Sequence, residues 1–217
     1  MEETMNWLVN TLTSSIGKKL MMAVTGLCFC GFLAVHLIGN LTIYGGKEMF
    51  LGYVEHLHAL GILINLAEFG LIALALIHII TGLTLYLQNL KARPIRYNTY
   101  KSAGGRTIGS ATMPYTGILI MLFVLLHLLT FRFVDKTNTN DFQILVTTFS
   151  QFGSVLIYIV AVIIAAIHVS HGLWSGFQTL GLSHPKYMPI IMGLSVVFAV
   201  IVGVGFGFIP IYVSLIA

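Results

Sequence analysis

The sequence predicts an all-α integral membrane protein, a bundle of five transmembrane helices. Three observations predict it. The chain is 57% hydrophobic and only 8% charged, whereas soluble domains carry about a quarter charged residues. Its apolar residues come in long unbroken runs, not in the apolar–polar alternation of a membrane barrel strand. Helices and closed barrels alone satisfy their own backbone polar groups in lipid, so the runs are helices. Five of them reach the roughly 20 residues that a hydrocarbon core requires.

The runs follow in order. Met1 to Thr13 is polar and mildly acidic, with no cleavable leader pattern, and Lys18 and Lys19 stand just before the first run. That run, Leu20 to Ile43, holds one ionisable residue, His36. The second, Leu60 to Leu87, holds Glu68 and His78. The third, Met113 to Phe131, holds His127. The fourth, Phe152 to Phe177, holds His168 and His171, and the fifth, Met188 to Ala217, holds none. Helices are expected at about 20–44, 59–90, 112–133, 148–177 and 187–216. Pro94 closes the second, Pro114 opens the third, and His184-Pro185 marks the last turn. No internal repeat stands out. Residues 1–217 read as a single membrane domain, so chemistry in water would belong to another subunit.

The loops give an orientation. Gln88 to Ser110 carries Lys91, Arg93, Arg96, Lys101 and Arg106 and no acid. With Lys18, Lys19 and Lys186, eight of the eleven cations fall on one side. Lys47, Arg132 and Lys136 on the other side are mixed with Glu48, Glu55, Asp135 and Asp141. The positive-inside rule then makes the N-terminus cytoplasmic. The formal charge of +4 is read as topology and attraction to lipid headgroups, with no nucleic-acid partner. Trp7 and Trp174 read as interfacial anchors. Cys28 and Cys30, two positions apart on a helix, point to nearly opposite faces and read as small buried apolar residues. No Cys-x-x-Cys-His is present, so any haem is held non-covalently.

Ionisable side chains inside a span are costly and usually functional. Four consecutive helices carry one histidine each, His36, His78, His127 and His168, spaced by 42, 49 and 41 residues. Helices one and three run outward and two and four inward. At about 1.5 Å per residue, His36 and His127 fall in the outer half and His78 and His168 in the inner half. Two histidines at each of two depths suit two bis-histidine haems in a four-helix bundle. The first four helices are therefore expected to form a di-haem four-helix bundle. Gly39, Gly82 and Gly172 follow their histidines on the same helix face and would leave room for a flat porphyrin. Helix three has no such glycine after His127. His171, three residues beyond His168 on a similar face, is the rival for the inner ligand of helix four.

Ser14-Ser-Ile-Gly-Lys-Lys19, Ala34-Val-His-Leu-Ile-Gly-Asn40 and His168-Val-Ser-His-Gly-Leu-Trp-Ser-Gly-Phe-Gln178 resemble the di-haem cytochrome b membrane anchors of succinate:quinone oxidoreductases, the succinate dehydrogenases and quinol:fumarate reductases. The resemblance covers nearly the whole chain. It implies an anchor in the bacterial cytoplasmic (inner) membrane that holds a flavoprotein subunit and an iron–sulfur subunit on the cytoplasmic face. It implies two b haems passing electrons between the iron–sulfur subunit and a membrane quinone, here menaquinone or menaquinol. It makes His78 and His168 the proximal ligands and His36 and His127 the distal ligands, and so favours His168 over His171. Ser14, Lys18, Lys19 and Arg93 would lie near the proximal propionates. Some members carry a glutamate two residues before the helix-four ligand, linked to proton movement. Ala166 stands there in this chain.

The resemblance also puts the quinone near the distal haem, where His58, Asn40, Arg132 and Tyr44 are candidates. Glu68, about 15 Å along its helix from His78, is the candidate acid–base group for quinone protons. An ion pair between Glu68 and Arg132 is the competing reading. Two other functions stay open: a free-standing b-type transmembrane cytochrome and a proton-coupled transporter. Transporters usually show broken helices and inverted repeats.

Overall fold

Eight α-helices and no strand form among the described residues, which are 2–92 and 107–217 of the computed structural model. Arg93, Pro94, Arg96, Lys101 and Arg106 lie outside them. Five helices are long and apolar enough to cross a membrane: α2 (Ser15–Leu41), α4 (Ile62–Lys91), α5 (Ile108–His127), α7 (Phe152–Thr179) and α8 (Met188–Ile216). Three shorter ones join them: α1 (Glu2–Thr13), α3 (Lys47–Ala59) and α6 (Asp141–Phe149). A 3-10 turn, Thr42–Gly45, ends α2, and a π-helical turn, Leu128–Arg132, ends α5.

Local chemistry sets these boundaries. Ser14 lies between α1 and α2. Its Oγ accepts from Gly17 N–H at 3.0 Å and donates to the Thr11 carbonyl at 2.6 Å, so it caps α2. The hydroxyl expected near a propionate is thus engaged by backbone. Gly17 is required there, because a Cβ would run into the Thr11 carbonyl. α5 begins earlier than Pro114 suggests, because Thr107 and Ser110 form a reciprocal capping box. Pro114 then lies inside the helix and leaves the Ser110 carbonyl without its i+4 donor. Asn140 and Gln143 form a second capping box that starts α6. Gly61, at φ 54°, separates α3 from α4, where the sequence reading had only a loop and a helix start.

α2 packs against α4 and α7, and α5 packs against α7, whereas α4 and α5 barely touch. These four helices form an open square whose loose seam lies between α4 and α5. α8 lies along α7 and also reaches α2. The best-buried cluster is at one end of the square, where α3 and α6 bring Phe50, Leu145 and Phe149 onto Ile43, Tyr158, Ile209 and Val213. That end is called the α3–α6 end, and the opposite one the α1 end. Along the spans most apolar side chains are exposed. No residue of the most hydropathic stretch of α4 is buried, as expected where lipid is the solvent and packing rather than hydrophobicity joins helices.

Candidate functional site

The histidines stand in two layers. Toward the α1 end, His78 of α4 faces Thr25 of α2, with Thr25 Oγ1 2.9 Å from His78 Nδ1. His168 of α7 faces Thr116 of α5 in the same manner, at 3.0 Å. The threonines favour one direction for both bonds. Thr25 Oγ1 donates its proton to the Met21 carbonyl at 2.7 Å, and Thr116 Oγ1 to the Thr112 carbonyl at 3.0 Å. With its proton on that carbonyl, each hydroxyl has a lone pair free to accept from a histidine protonated on Nδ1. That tautomer leaves the lone pair on Nε2, the nitrogen a metal would take. Among the described residues no buried side-chain nitrogen or oxygen lacks a partner.

A glycine stands beside each ring, tightly at Gly26 and at ordinary contact distance at Gly117. A Cβ on Gly26 would meet His78 Cε1 at 3.3 Å, and one on Gly117 would meet His168 Cε1 at 3.4 Å. The glycines singled out in the sequence behave otherwise. Gly39 receives the hydroxyl end of Tyr53 from α3. Gly82 and Gly172 receive the thioether ends of Met22 and Met113. The slot read into Gly39 is filled because α3 folds back over the end of α2, which the sequence did not reveal.

The second layer lies toward the α3–α6 end. The rings of His36 and His127 are 6.0 Å apart and nearly perpendicular. Phe32 stacks on His36 at 5.2 Å, and Phe123 packs on His127 at 5.9 Å. Tyr158 Oη stands 3.5 Å from His127 Nδ1. Asn40 Nδ2 donates to the His36 carbonyl at 2.8 Å and is 3.4 Å from His36 Nδ1. A π-turn follows His127 directly, a feature frequent at functional sites.

The two layers reveal an internal repeat missed in the sequence. Thr25-Gly26, Phe32 and His36 recur as Thr116-Gly117, Phe123 and His127, 91 residues on. His78 with Gly82-Leu83 recurs as His168 with Gly172-Leu173, 90 residues on. α2–α4 and α5–α7 are therefore equivalent hairpins. The repeat is sparse because the shared positions are the histidines and a few residues around them, and it is legible as Thr-Gly-x9-His once those contacts are known.

The remaining candidates lie apart from these rings. His171 packs against the start of α5. Its Nδ1 is 3.4 Å from Thr107 Oγ1, and its Cβ lies where a Cβ on Gly109 would sit, 2.6 Å away. Glu68 and Arg132 form a two-pronged ion pair, Nε–Oε1 2.9 Å and Nη2–Oε2 2.9 Å, across the α4–α5 seam. His58 is exposed on the last turn of α3, and Tyr44 packs on Tyr212.

Among the described residues no group of three or more His, Cys, Asp or Glu could hold a metal ion. A zinc site needs at least three protein ligands, whereas a haem brings four nitrogens of its own and asks the protein for axial ligands only. Paired imidazoles fit that request. Compared with known proteins, the chain matches no family model, no curated protein and no solved structure.

Proposed function

We propose that this chain is the membrane anchor and electron-transfer subunit of a succinate dehydrogenase or fumarate reductase complex. His78 and His168 would hold a proximal b haem, and His36 and His127 a distal one. The α1 end would face the cytoplasm and dock the iron–sulfur subunit, which carries the flavoprotein subunit. A membrane quinone, menaquinone in this reading, would exchange electrons on the distal side. Succinate and fumarate chemistry belongs to the partners, and the chain contributes the quinone-reactive part of the oxidoreductase.

One observation carries the reading. Two equivalent Thr–His pairs engage Nδ1 of His78 and His168, an arrangement suited to Nε2 as a metal ligand, within a repeat that also sets two further histidines ring to ring. A haem bound there supplies reversible one-electron transfer. The protein holds the ligand nitrogens, engages Nδ1 of the proximal pair through Thr25 and Thr116, and surrounds the distal pair with Phe32, Phe123 and Tyr158. Repeated hairpins also occur in transporters, but there they accompany broken helices, and α2, α4 and α7 run unbroken through the histidine layers.

A pyridine haemochrome assay on the purified protein is expected to give two b haems per chain, and one or none in a folded preparation would end the proposal. Absence of a b-type Soret band would favour the transporter. Two haems without a co-purifying flavoprotein would favour the free-standing cytochrome.

A further inference from the structure

Two shallow cavities, open to the outer surface of the helices, lie end to end along the α5–α7 seam and share Leu126 and Ile157, both exposed. The first, about 280 Å³, is at the α3–α6 end, where Thr130, Thr147, Thr148, Gln151, Ser154 and Tyr158 line it. The second, about 230 Å³, continues toward the middle of the helices and is lined by apolar residues, among them Leu119, Leu122, Phe123 and Ile164. The outline is that of an amphiphile, with a polar head at the membrane boundary and an apolar tail running inward along a helix seam.

The lining selects the head. Hydroxyls, one amide and one phenol surround the first cavity, and none of its lining residues is charged. Such a site suits a neutral ring bearing carbonyl or hydroxyl groups, whereas a phosphodiester headgroup calls for Arg or Lys. Gln151 starts α7 without making the side-chain capping bond that its position allows, so its amide is not tied to the helix end. Tyr158 fixes the cavity relative to the histidines. Tyr158 lines the cavity, and its hydroxyl stands 3.5 Å from His127 Nδ1. Its ring is clamped edge-on by Phe123, Phe131 and Phe149.

We infer that the quinone headgroup binds in the cavity between α5, α6 and α7, on Thr148, Gln151 and Ser154, with its isoprenoid tail along the α5–α7 seam. This rests on the electron-transfer reading above, and it assigns a place that the sequence candidates did not. Glu68 and Arg132 lie on the α4 side of α5, line neither cavity and hold each other. Asn40 is taken up by the His36 backbone.

The test uses the purified complex in mild detergent, with bound quinone and phospholipid quantified by extraction and haem by its spectrum. Thr148 Oγ1 donates to the Ile144 carbonyl at 2.7 Å and so offers a lone pair to the hydroxyl of a quinol, and Thr148→Val with Gln151→Leu removes that acceptor and an amide. Each hydrogen bond lost from a ligand is worth about 1 kcal/mol, so retained quinone should fall by tenfold or more. Both haem bands and succinate oxidation by a soluble dye should be unchanged. Ile157→Trp, at the lip shared by the two cavities, should have the same effect by blocking the tail. Full quinone retention in these variants overturns the site, as does loss of phospholipid with quinone kept. Loss of quinone in Glu68→Gln alone moves the headgroup to the α4 side and also overturns it. Wild-type protein holding neither haem nor quinone overturns the functional reading itself, a result distinct from all of these.

Discussion

At the scale of single residues, the Thr–His contact is the testable feature. Thr25→Val and Thr116→Val keep shape but remove the acceptor for His78 and His168 Nδ1–H. Loss of such an outer partner typically weakens metal binding by about 10–100-fold. Each variant is expected to lower retention of the α1-side haem alone, measured as loss of one spectral component on dilution, while Thr→Ser restores it. Histidine replacements sort by layer. His78→Ala or His168→Ala should remove one component, and His36→Ala or His127→Ala the other. Removal of the same component by His78→Ala and His127→Ala would break the pairing. His171→Ala should leave both, since its ring is engaged by Thr107 at the start of α5 and by Trp174 on its own helix. The four histidines were legible from the sequence, because an ionisable group in an apolar run stands out. Their threonine partners were not, because a threonine in a membrane helix usually bonds its own i−4 carbonyl, and Thr25 and Thr116 do that as well. Only the ring across the helix boundary distinguishes them.

At the scale of elements, two close approaches fix how helices start and meet. Gly109 lets α5 lie on α7, and a Cβ there would stand 2.6 Å from His171 Cβ and 3.2 Å from the Ile167 carbonyl. Gly109→Ala must push α5 off α7, at a cost of about 1–3 kcal/mol for overpacking. Ser14→Ala loses only the cap of α2, about 1 kcal/mol. Thermal melts in detergent should therefore rank Gly109→Ala below Ser14→Ala, and the reverse order would mean that the seam is softer than its geometry. The spans themselves were legible, since length and hydropathy specify them. α3 and α6 were not. Their sequences are amphipathic and short, and they fold because Phe50, Leu145 and Phe149 find a surface at the end of the bundle. That is tertiary context, which no local pattern carries.

At the scale of the molecule, the loose α4–α5 seam is bridged at one end by Glu68 and Arg132. Their side chains are 37% and 51% exposed, and such pairs contribute about 0–1 kcal/mol in water. The sequence left open whether Glu68 is a proton carrier or a structural partner, and the two-pronged bond suits the partner. Glu68→Gln and Arg132→Gln are each expected to lower the melting midpoint slightly, with the double variant no worse than the worse single, as a shared interaction requires. Both haems should stay. A hundredfold fall in quinone turnover with an unchanged melt would instead restore Glu68 as the acid–base group.

The repeat has a consequence for how the protein is made. Each Thr–His pair lies within one hairpin, Thr25 with His78 and Thr116 with His168, so each half arranges its own ligand before the other half exists. Each proposed iron, in contrast, takes one imidazole from each half. A ribosome that has released only α2 and α4 into the membrane has made two poised ligands and no complete site. In the proposed pairing the distal site, His36 with His127, is complete once α5 has inserted, and the proximal site, His78 with His168, waits for α7, so a full haem complement would report that both hairpins have arrived and met. The two halves expressed as separate chains, 1–92 and 107–217, should co-purify from haem-replete cells and come apart in cells starved of haem.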